Sequence, residues 1–374
     1  MPSGLSQAEL LRYSRHLLIP GIGQEGQLRL KNASVLMIGT GGLGCPAALY
    51  LAAAGVGRLG LIDPDIVDAS NLQRQILHGE SWIGKSKLES AESRLREINP
   101  YLTIDLHPLR FTPENAIGLT ESYDIILDGS DNFPTRFLAN DTAFFLKKPL
   151  IYGAIQRFEG QATVFAPHLG GPCYRCLLPE LPAPGSVPSC NEAGVLGVLP
   201  GIIGSLQAME AIKLILNVGK PPLGKLTVYD ALGSSFRSIT LRRDPGCRLC
   251  GDHPEIDSVF NPETLAPAYC EISTDHMETI TTTELRGRLA GDFQGLLIDV
   301  REPDEHAVSS IPGAKLIPLG SVQDHLDELP KEREILIHCK SGGRSARAVD
   351  LLLANGFTDV KNVKGGIDAW LAES

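Results

Sequence analysis

Val35-Leu36-Met37-Ile38-Gly39-Thr40-Gly41-Gly42-Leu43-Gly44, with Ala47 to Ala54 and Gly55 behind it, is the stretch that decides the fold. Val35 to Ile38 is a short continuous apolar run, the pattern of a strand buried on both faces. Gly39 to Gly44 reads as a tight turn. Ala47 to Ala54 follows as a helix, and Gly55 ends it. Leu59 to Ile62 is the next strand and stops at Asp63. Strand, turn, helix and strand make a βαβ unit, whose parallel strands need helices on both faces of the sheet. The expected fold class is therefore α/β, with a Rossmann-like doubly wound sheet.

The glycine run Gly39 to Gly44 fits G-x-G-x-x-G between a strand and a helix. Glycines let the backbone approach a phosphate closely, and the helix N-terminus supplies N–H donors and positive potential. Asp63, at the end of the next strand, is placed to bind ribose hydroxyls. These residues alone fit NAD or FAD as readily as another nucleotide, so a dinucleotide-dependent oxidoreductase is one reading. The following segment favours a triphosphate. Ser70-Asn71-Leu72-Gln73-Arg74-Gln75 and then Lys87 place two cations after the acidic residue. A triphosphate needs such cations to neutralise its charge and stabilise departing pyrophosphate. Asp128-Gly129-Ser130-Asp131-Asn132 closes the strand that begins at Tyr123, in the crevice where open α/β sheets bind ligands. Asp131 is there the candidate magnesium ligand. Taken singly, Arg74 and Lys87 also fit solvated surface charges and Asp131 a helix N-cap.

Outward from this core, Ser6 and Glu9 form a capping-box pattern before a helix that carries Arg12 and Arg15. Strands alternating with helices are expected to about Arg243. Between His253 and Met277 no apolar face is sustained and prolines interrupt, which reads as a linker. The pattern restarts with a Thr-capped helix near Thr283 to Leu289, strands Leu296 to Val300 and Ile335 to His338, and a helix from Ser345 to Ala354. Residues 1–252, 253–277 and 278–374 are thus read as a large domain, a linker and a smaller α/β domain. A chain of 374 residues is long enough for two cores.

The formal charge of −10 argues against a general affinity for nucleic acid or anionic membrane, since both reward basic surfaces. The most apolar region, Val195 to Val218, is interrupted by Pro200, Glu210, Lys213 and glycines, and reads as a buried loop and helix instead of a membrane span. Met1 to Gln7 shows no leader pattern. Eight cysteines in this length do not make a disulfide scaffold, and two CxxC pairs point to metal in a reducing, cytoplasmic compartment.

Residues 5 to 252 resemble the MoeB/ThiF family, the bacterial relatives of ubiquitin-activating enzymes. Arg12-Tyr13-Ser14-Arg15, GTGGLG, SNLQRQ, DGSDN and GSLQAMEAIK from Gly204 carry the match. The resemblance implies adenylation of the C-terminal glycine of a small β-grasp sulfur carrier ending Gly-Gly. It implies that Gly41, Gly42, Asp63, Asn71, Arg74 and Lys87 hold ATP and that Asp131 holds magnesium. Such enzymes are homodimers, and Arg15 would reach the phosphates in the partner subunit's site.

Cys173-Tyr174-Arg175-Cys176 and Cys247-Arg248-Leu249-Cys250 each fit a knuckle offering two thiolates. Four thiolates make a closed tetrahedral zinc site, which leaves no position for substrate and is therefore structural. Their wide separation also fits two independent redox or structural pairs; the family resemblance favours zinc. Cys190 ends a Pro-rich loop, and relatives have a cysteine here that receives or relays the carrier's acyl group. An unreactive loop thiol is the alternative.

His338-Cys339-Lys340-Ser341-Gly342-Gly343-Arg344-Ser345 follows an apolar strand and opens a helix. A cysteine so placed faces backbone N–H groups and a helix N-terminus, which stabilise a thiolate or persulfide, and Arg344 is expected to add a cation to the same cradle. Tyrosine phosphatases space their cysteine and arginine one residue further apart, where this chain has Ser345. The shorter loop suits a single sulfur atom. Residues 278 to 374 resemble the rhodanese family, with Leu297 to Glu302, Ile311 to Ala314 and Gly365 to Trp370 as further matches; Asp299 and Arg301 are expected to order loops around the site. Both halves resemble fused MoeB–rhodanese proteins, which serve sulfur carriers for molybdopterin, thiamine, cysteine or tRNA thiolation. Their sulfur donor would be thiosulfate or a cysteine desulfurase.

Overall fold

The computed structural model describes residues 4–182, 194–260, 278–291 and 293–373. The chain divides into two compact units, Met1–Ala266 and Pro267–Ser374.

The first unit is built on an eight-stranded sheet in the order β3-β2-β1-β4-β5-β6-β7-β8. Its strands are β1 Ser34–Ile38, β2 Arg58–Ile62, β3 Thr103–His107, β4 Ile125–Asp128, β5 Leu150–Gln156, β6 Glu159–Phe165, β7 Lys225–Asp230 and β8 Ser235–Thr240. β3 through β5 run parallel. Every residue of β1 is buried, as a strand covered on both faces requires. The helix Gly44–Ala54, rich in alanine, returns the chain to β2 and is closed by Gly55 at φ +89. Gly44 admits nothing larger, because a Cβ there would lie 2.1 Å from the carbonyl oxygen of Gly39.

β1 lies between β2 and β4, so the strand order reverses there. The loops after β1, β2 and β4 meet at the carboxyl ends of the strands, where sheets of this type bind ligands. β4 starts at Ile125, later than Tyr123. The residue before it is used as an anchor: Asp124 Oδ2 accepts the N–H and the hydroxyl of Ser34, both at 2.8 Å.

The strand–helix alternation expected to Arg243 is broken after β5: β6 follows it directly, the helix Val198–Leu216 comes between β6 and β7, and β8 again follows β7 directly. From β5 the sheet is antiparallel, with β5–β6 and β7–β8 forming hairpins. The first hairpin turns on Arg157 and Phe158, with Arg157 at φ +52, and Ser234 in the second has φ +48. Neither turn carries the Asn-Gly or Asp-Gly signature that would announce it.

The helix Val198–Leu216 is one continuous element that begins before Pro200. Proline is tolerated in the first helical turn, where no N–H partner is needed. By length and composition this helix could cross a membrane, yet Ile203, Gln207, Ala208 and Ala211 are packed against the sheet and the helix Gly44–Ala54. Gln207 Nε2 donates to the carbonyls of Asp128 (2.7 Å) and Ile151 (3.3 Å), tying the ends of β4 and β5. Within the expected linker, Ile256 and Val259 are buried in the first unit, Ile256 against the cysteine cluster. Residues 261–277 lie outside the described residues.

The second unit has a parallel sheet in the order β11-β10-β12-β13-β9: β9 Thr279–Ile280, β10 Leu296–Asp299, β11 Lys315–Leu316, β12 Ile335–His338 and β13 Val360–Val363. Thr281 caps the helix Thr282–Ala290 in a reciprocal capping box with Glu284. β12 is central and wholly buried, and Cys339 follows it directly.

Candidate functional site

The glycine loop is set by hydrogen bonds from below. Gly39, at φ +92, approaches the backbone of Gly129 so closely that a Cβ would lie 3.1 Å from its carbonyl oxygen. Every polar atom of Thr40 is engaged: its N–H and hydroxyl donate to Asp63 Oδ2 at 2.9 and 2.8 Å, and its carbonyl accepts the Cys45 thiol at 3.1 Å. His78 lies 3.2 Å from the same carbonyl, and burial pushes its pKa down, so it serves as a neutral donor. Cys45 is buried beneath the loop with its pKa pushed up to about 12 by burial, which leaves it an inert thiol.

Asp63 is buried, and its second oxygen accepts the N–H of Asp65 and lies 3.9 Å from Lys87 Nζ. Lys87 opens the helix Lys87–Ile98 and donates to Asp65 at 2.8 Å. Its side chain is only 8% exposed, so Lys87 is not a solvated surface charge. Arg74 donates to the carbonyl of Ser70, and its Cδ lies 3.7 Å from where a Gly42 Cβ would sit. Arg74 beside Gly42, and Asp63 with Lys87 beside Thr40, thus flank the glycine loop that leads into the helix Gly44–Ala54. The two cations and the helix N-terminus fit the phosphates of a nucleotide. Ser70 and Asn71 form the local turn, with the Ser70 hydroxyl donating to Asp68 and Asn71 Oδ1 accepting the N–H of Asp68.

Across the crevice, Asn132 and not Asp131 caps the helix Phe133–Phe145, accepting the N–H of Thr135 at 3.0 Å. Asp131 is left exposed beside the end of β4. Two neighbours escaped the sequence reading. Asp128 is fully buried; Oδ1 accepts the N–H and hydroxyl of Ser130, Oδ2 has no hydrogen-bond partner among the described residues, and burial pushes its carboxyl pKa up. Gln75 is buried behind Gly41, and its Oε1 has no hydrogen-bond partner among the described residues. Both sit inside the quoted motifs, but nothing in the motif spacing marks them as buried. Arg15 is exposed on the short helix Ser14–Leu17 and makes no hydrogen bond or ion pair with the glycine loop among the described residues.

The four cysteines of the two CxxC pairs come together, their sulfurs all within 4.8 Å of one another. Sγ of Cys173 is 3.8 Å from Cys176 and 3.6 Å from Cys247, and Cys176 is 3.4 Å from Cys250. A tetrahedron with Zn–S of about 2.3 Å places its sulfurs about 3.8 Å apart, so the cluster is compatible with zinc. Arg175, inside the first pair, forms a bidentate bond with Asp141 at 2.9 and 2.8 Å, both side chains fully buried. Cys190 lies outside the described residues.

In the second unit Cys339 is buried at the start of the helix Gly343–Ala354. Its Sγ accepts the N–H of Gly342 at 3.1 Å and faces the hydroxyl of Ser345 at 3.3 Å. Gly366, at φ +56, lets the backbone pass, since a Cβ would lie 2.4 Å from the Cys339 carbonyl oxygen. Asp299 is fully buried. Burial pushes its pKa up, but hydrogen bonds from Arg301 and His306 outweigh this and hold it below the usual range. Arg301 also donates to the carbonyls of Glu305 and Ser309, ordering the segment beside the cysteine loop. Arg344 departs from expectation: its guanidinium does not stand alone over the cysteine but pairs with Glu305 at 2.6 and 2.7 Å. The partner comes from a distant segment, so no local pattern announces it.

These features define an enzyme class in which a glycine-loop nucleotide unit and a cysteine-loop unit sized for one sulfur atom share a chain. The chain belongs to the ThiF family, matched over residues 13–249, and carries a rhodanese-like domain over residues 281–373. It is 48% identical to the probable adenylyltransferase/sulfurtransferase MoeZ of Mycobacterium tuberculosis, covering 98% of this chain and 94% of that protein. It is 41% identical to the adenylyltransferase and sulfurtransferase MOCS3-1 of Zea mays, over 99% of this chain and 83% of that one. The sulfur carrier protein adenylyltransferase of Thermus thermophilus is 52% identical over 67% of this chain and 93% of its own length. Among solved structures, E. coli MccB matches with a TM-score of 0.58 at 24% identity, over 67% of this chain and 75% of that one, which shows the fold. The dinucleotide-dependent oxidoreductase reading finds no support among these relatives.

Proposed function

We propose that the chain adenylates the C-terminal glycine of a small β-grasp sulfur carrier and then sulfurates it from a persulfide on Cys339. The observation that carries this is the placement of Arg74, Lys87 and Asp63 around the glycine loop, in a chain whose second unit gives Cys339 Sγ a hydrogen-bond donor at a helix N-terminus. Gly39, Gly41 and Gly42 give the phosphates room, Asp63 takes the ribose hydroxyls, and Arg74 and Lys87 neutralise the phosphate charge, with Ser70, Asn71 and Asn132 shaping the walls. Asp131 is the residue that would hold magnesium, which supplies further charge neutralisation.

The carrier carboxylate attacks the α-phosphorus of ATP and pyrophosphate leaves, giving an acyl adenylate. A carboxylate is a poor electrophile, and AMP makes a good leaving group. The terminal sulfur of the Cys339 persulfide attacks the acyl carbon and AMP departs, leaving an acyl disulfide. A second thiol, for which Cys190 is the candidate, then attacks Sγ of Cys339. The thiocarboxylate leaves, and a disulfide remains on the enzyme for later reduction. The four-cysteine zinc is structural. The protein acts as a cytoplasmic homodimer in which Arg15 reaches the partner subunit's site, and it serves molybdopterin, thiamine or a related thiolation pathway.

The test is carrier-dependent exchange of pyrophosphate into ATP. Asp131→Ala, at an exposed position, is expected to abolish exchange while leaving the unfolding midpoint unchanged. Full exchange in that variant would remove the magnesium assignment. No pyrophosphate release with any Gly-Gly carrier would remove the adenylation itself.

A further inference from the structure

Arg344 is already occupied. Nη1 and Nη2 donate to Oε2 and Oε1 of Glu305 at 2.6 and 2.7 Å, a fork-to-fork pair with the geometry that Arg otherwise offers to oxyanion ligands. The Arg344 and Glu305 side chains are 15% and 34% exposed, so the pair is partly shielded from water. Glu305 is itself fixed from two further directions. Its Oε2 accepts the N–H of Glu302 in the capping box that opens the helix Pro303–Val308, and its carbonyl accepts Arg301 Nη1. Arg344 belongs to the same helical turn whose Gly342 N–H and Ser345 hydroxyl meet the sulfur of Cys339. A negatively charged sulfur donor approaching Cys339 therefore meets a cation whose charge is spent, with a carboxylate beside it.

We infer that Glu305 is a specificity-determining residue: by holding Arg344 it biases the cysteine loop against sulfur donors whose remainder departs with two negative charges and toward donors whose remainder departs with one. This rests on the reading of Cys339 as the sulfur-accepting nucleophile. In that half-reaction the Cys339 thiolate attacks the outer sulfur of the donor. A bond forms between Sγ and that sulfur, the donor's own sulfur–sulfur bond breaks, and its electron pair leaves with the remainder. The remainder is sulfite from thiosulfate, or a thiolate from a persulfide. Sulfite departs with two negative charges and so depends on a free cation more than a thiolate does. Glu305 acts through Arg344, so it is a positioning residue.

The experiment measures kcat/KM of the full-length protein for thiosulfate, a dianion, and for methanethiosulfonate, a monoanion with the same reacting sulfur, both with cyanide as acceptor. In Glu305→Gln the thiosulfate-to-methanethiosulfonate ratio is expected to rise by about tenfold. Glu305→Asp keeps the charge and should leave the ratio near that of the unaltered protein. Glu305→Ala removes the charge by another route and should move the ratio the same way as the glutamine. A merely structural role would change both donors by one factor. That result, or an unmoved ratio, overturns the inference. Cys339→Ala separates the two levels: sulfur transfer surviving in it defeats the nucleophile assignment, whereas its loss alongside an unmoved ratio in Glu305→Gln defeats only the role of Glu305.

Discussion

At the level of single residues, the sulfur of Cys339 has one fixed donor, the N–H of Gly342, and one that it shares with a carbonyl. The Ser345 hydroxyl stands 3.3 Å from Cys339 Sγ, yet it is also 3.1 Å from the carbonyl of Gly342, and its single proton serves one acceptor at a time. A hydrogen bond to a charged acceptor is worth about 1.5–3 kcal/mol. If the proton goes to sulfur, Ser345→Ala should slow alkylation of Cys339 by iodoacetamide at neutral pH by about tenfold, and Ser345→Thr should restore it. An unchanged rate would place the proton on the carbonyl. Asp128 makes the opposite kind of case. Because burial raises its pKa in the folded state, the folded form loses stability as pH rises through the carboxylate range. Asp128→Asn has no such loss, so its advantage in urea midpoint should be small in mild acid and grow toward alkaline pH. A gap independent of pH would show that Asp128 is not strained by ionisation. That Asp63 and Lys87 would lie at the glycine loop, and Cys339 at the turn into a helix, was legible because these positions follow strand ends directly or open the next helix. The Glu305 partner of Arg344 was not, because only the fold brings those segments together.

At the level of elements, the strand–turn–helix around the glycine loop and the strand before Cys339 could be read directly, since continuous apolar runs bounded by glycine have few other solutions. The antiparallel end of the first sheet could not. Its hairpins turn on Arg157 and Ser234 in a left-handed conformation that these residue types seldom advertise. The buried tail Ile256 to Val259 was hidden for a related reason: two apolar residues suffice to dock it, too few to set up a period. The short helix Tyr174–Leu177 is likewise held by partners remote in sequence. Arg175 within it pairs with Asp141 on the helix Phe133–Phe145. Removing one member of a buried pair typically costs about 3–5 kcal/mol. Asp141→Ala is expected to lower the unfolding free energy by that order and to speed release of the proposed zinc, read with a colorimetric chelator. Normal zinc retention would show that the knuckle stands without the ion pair.

For the whole molecule, two units with separate cores imply two separable transitions. The cysteine cluster lies entirely in the first, and the structural zinc proposed for it would contribute folding free energy directly. A chelator should therefore lower the first unit's transition and abolish pyrophosphate exchange, while thiosulfate:cyanide transfer by the second unit continues. Parallel loss of both activities would refute this division.

The helix Val198–Leu216 has a consequence for engineering. Pro200 at its start abuts Gly42, and Gln207 further along grips the carbonyl of Asp128, so one rod props opposite banks of the crevice. Substitutions on its inner face should shift nucleotide affinity and thermal tolerance in the same direction. A variant library screened for heat resistance at these positions would then enrich tighter ATP binders without having asked for them, and uncorrelated traits in such a library would show that the two banks are held independently.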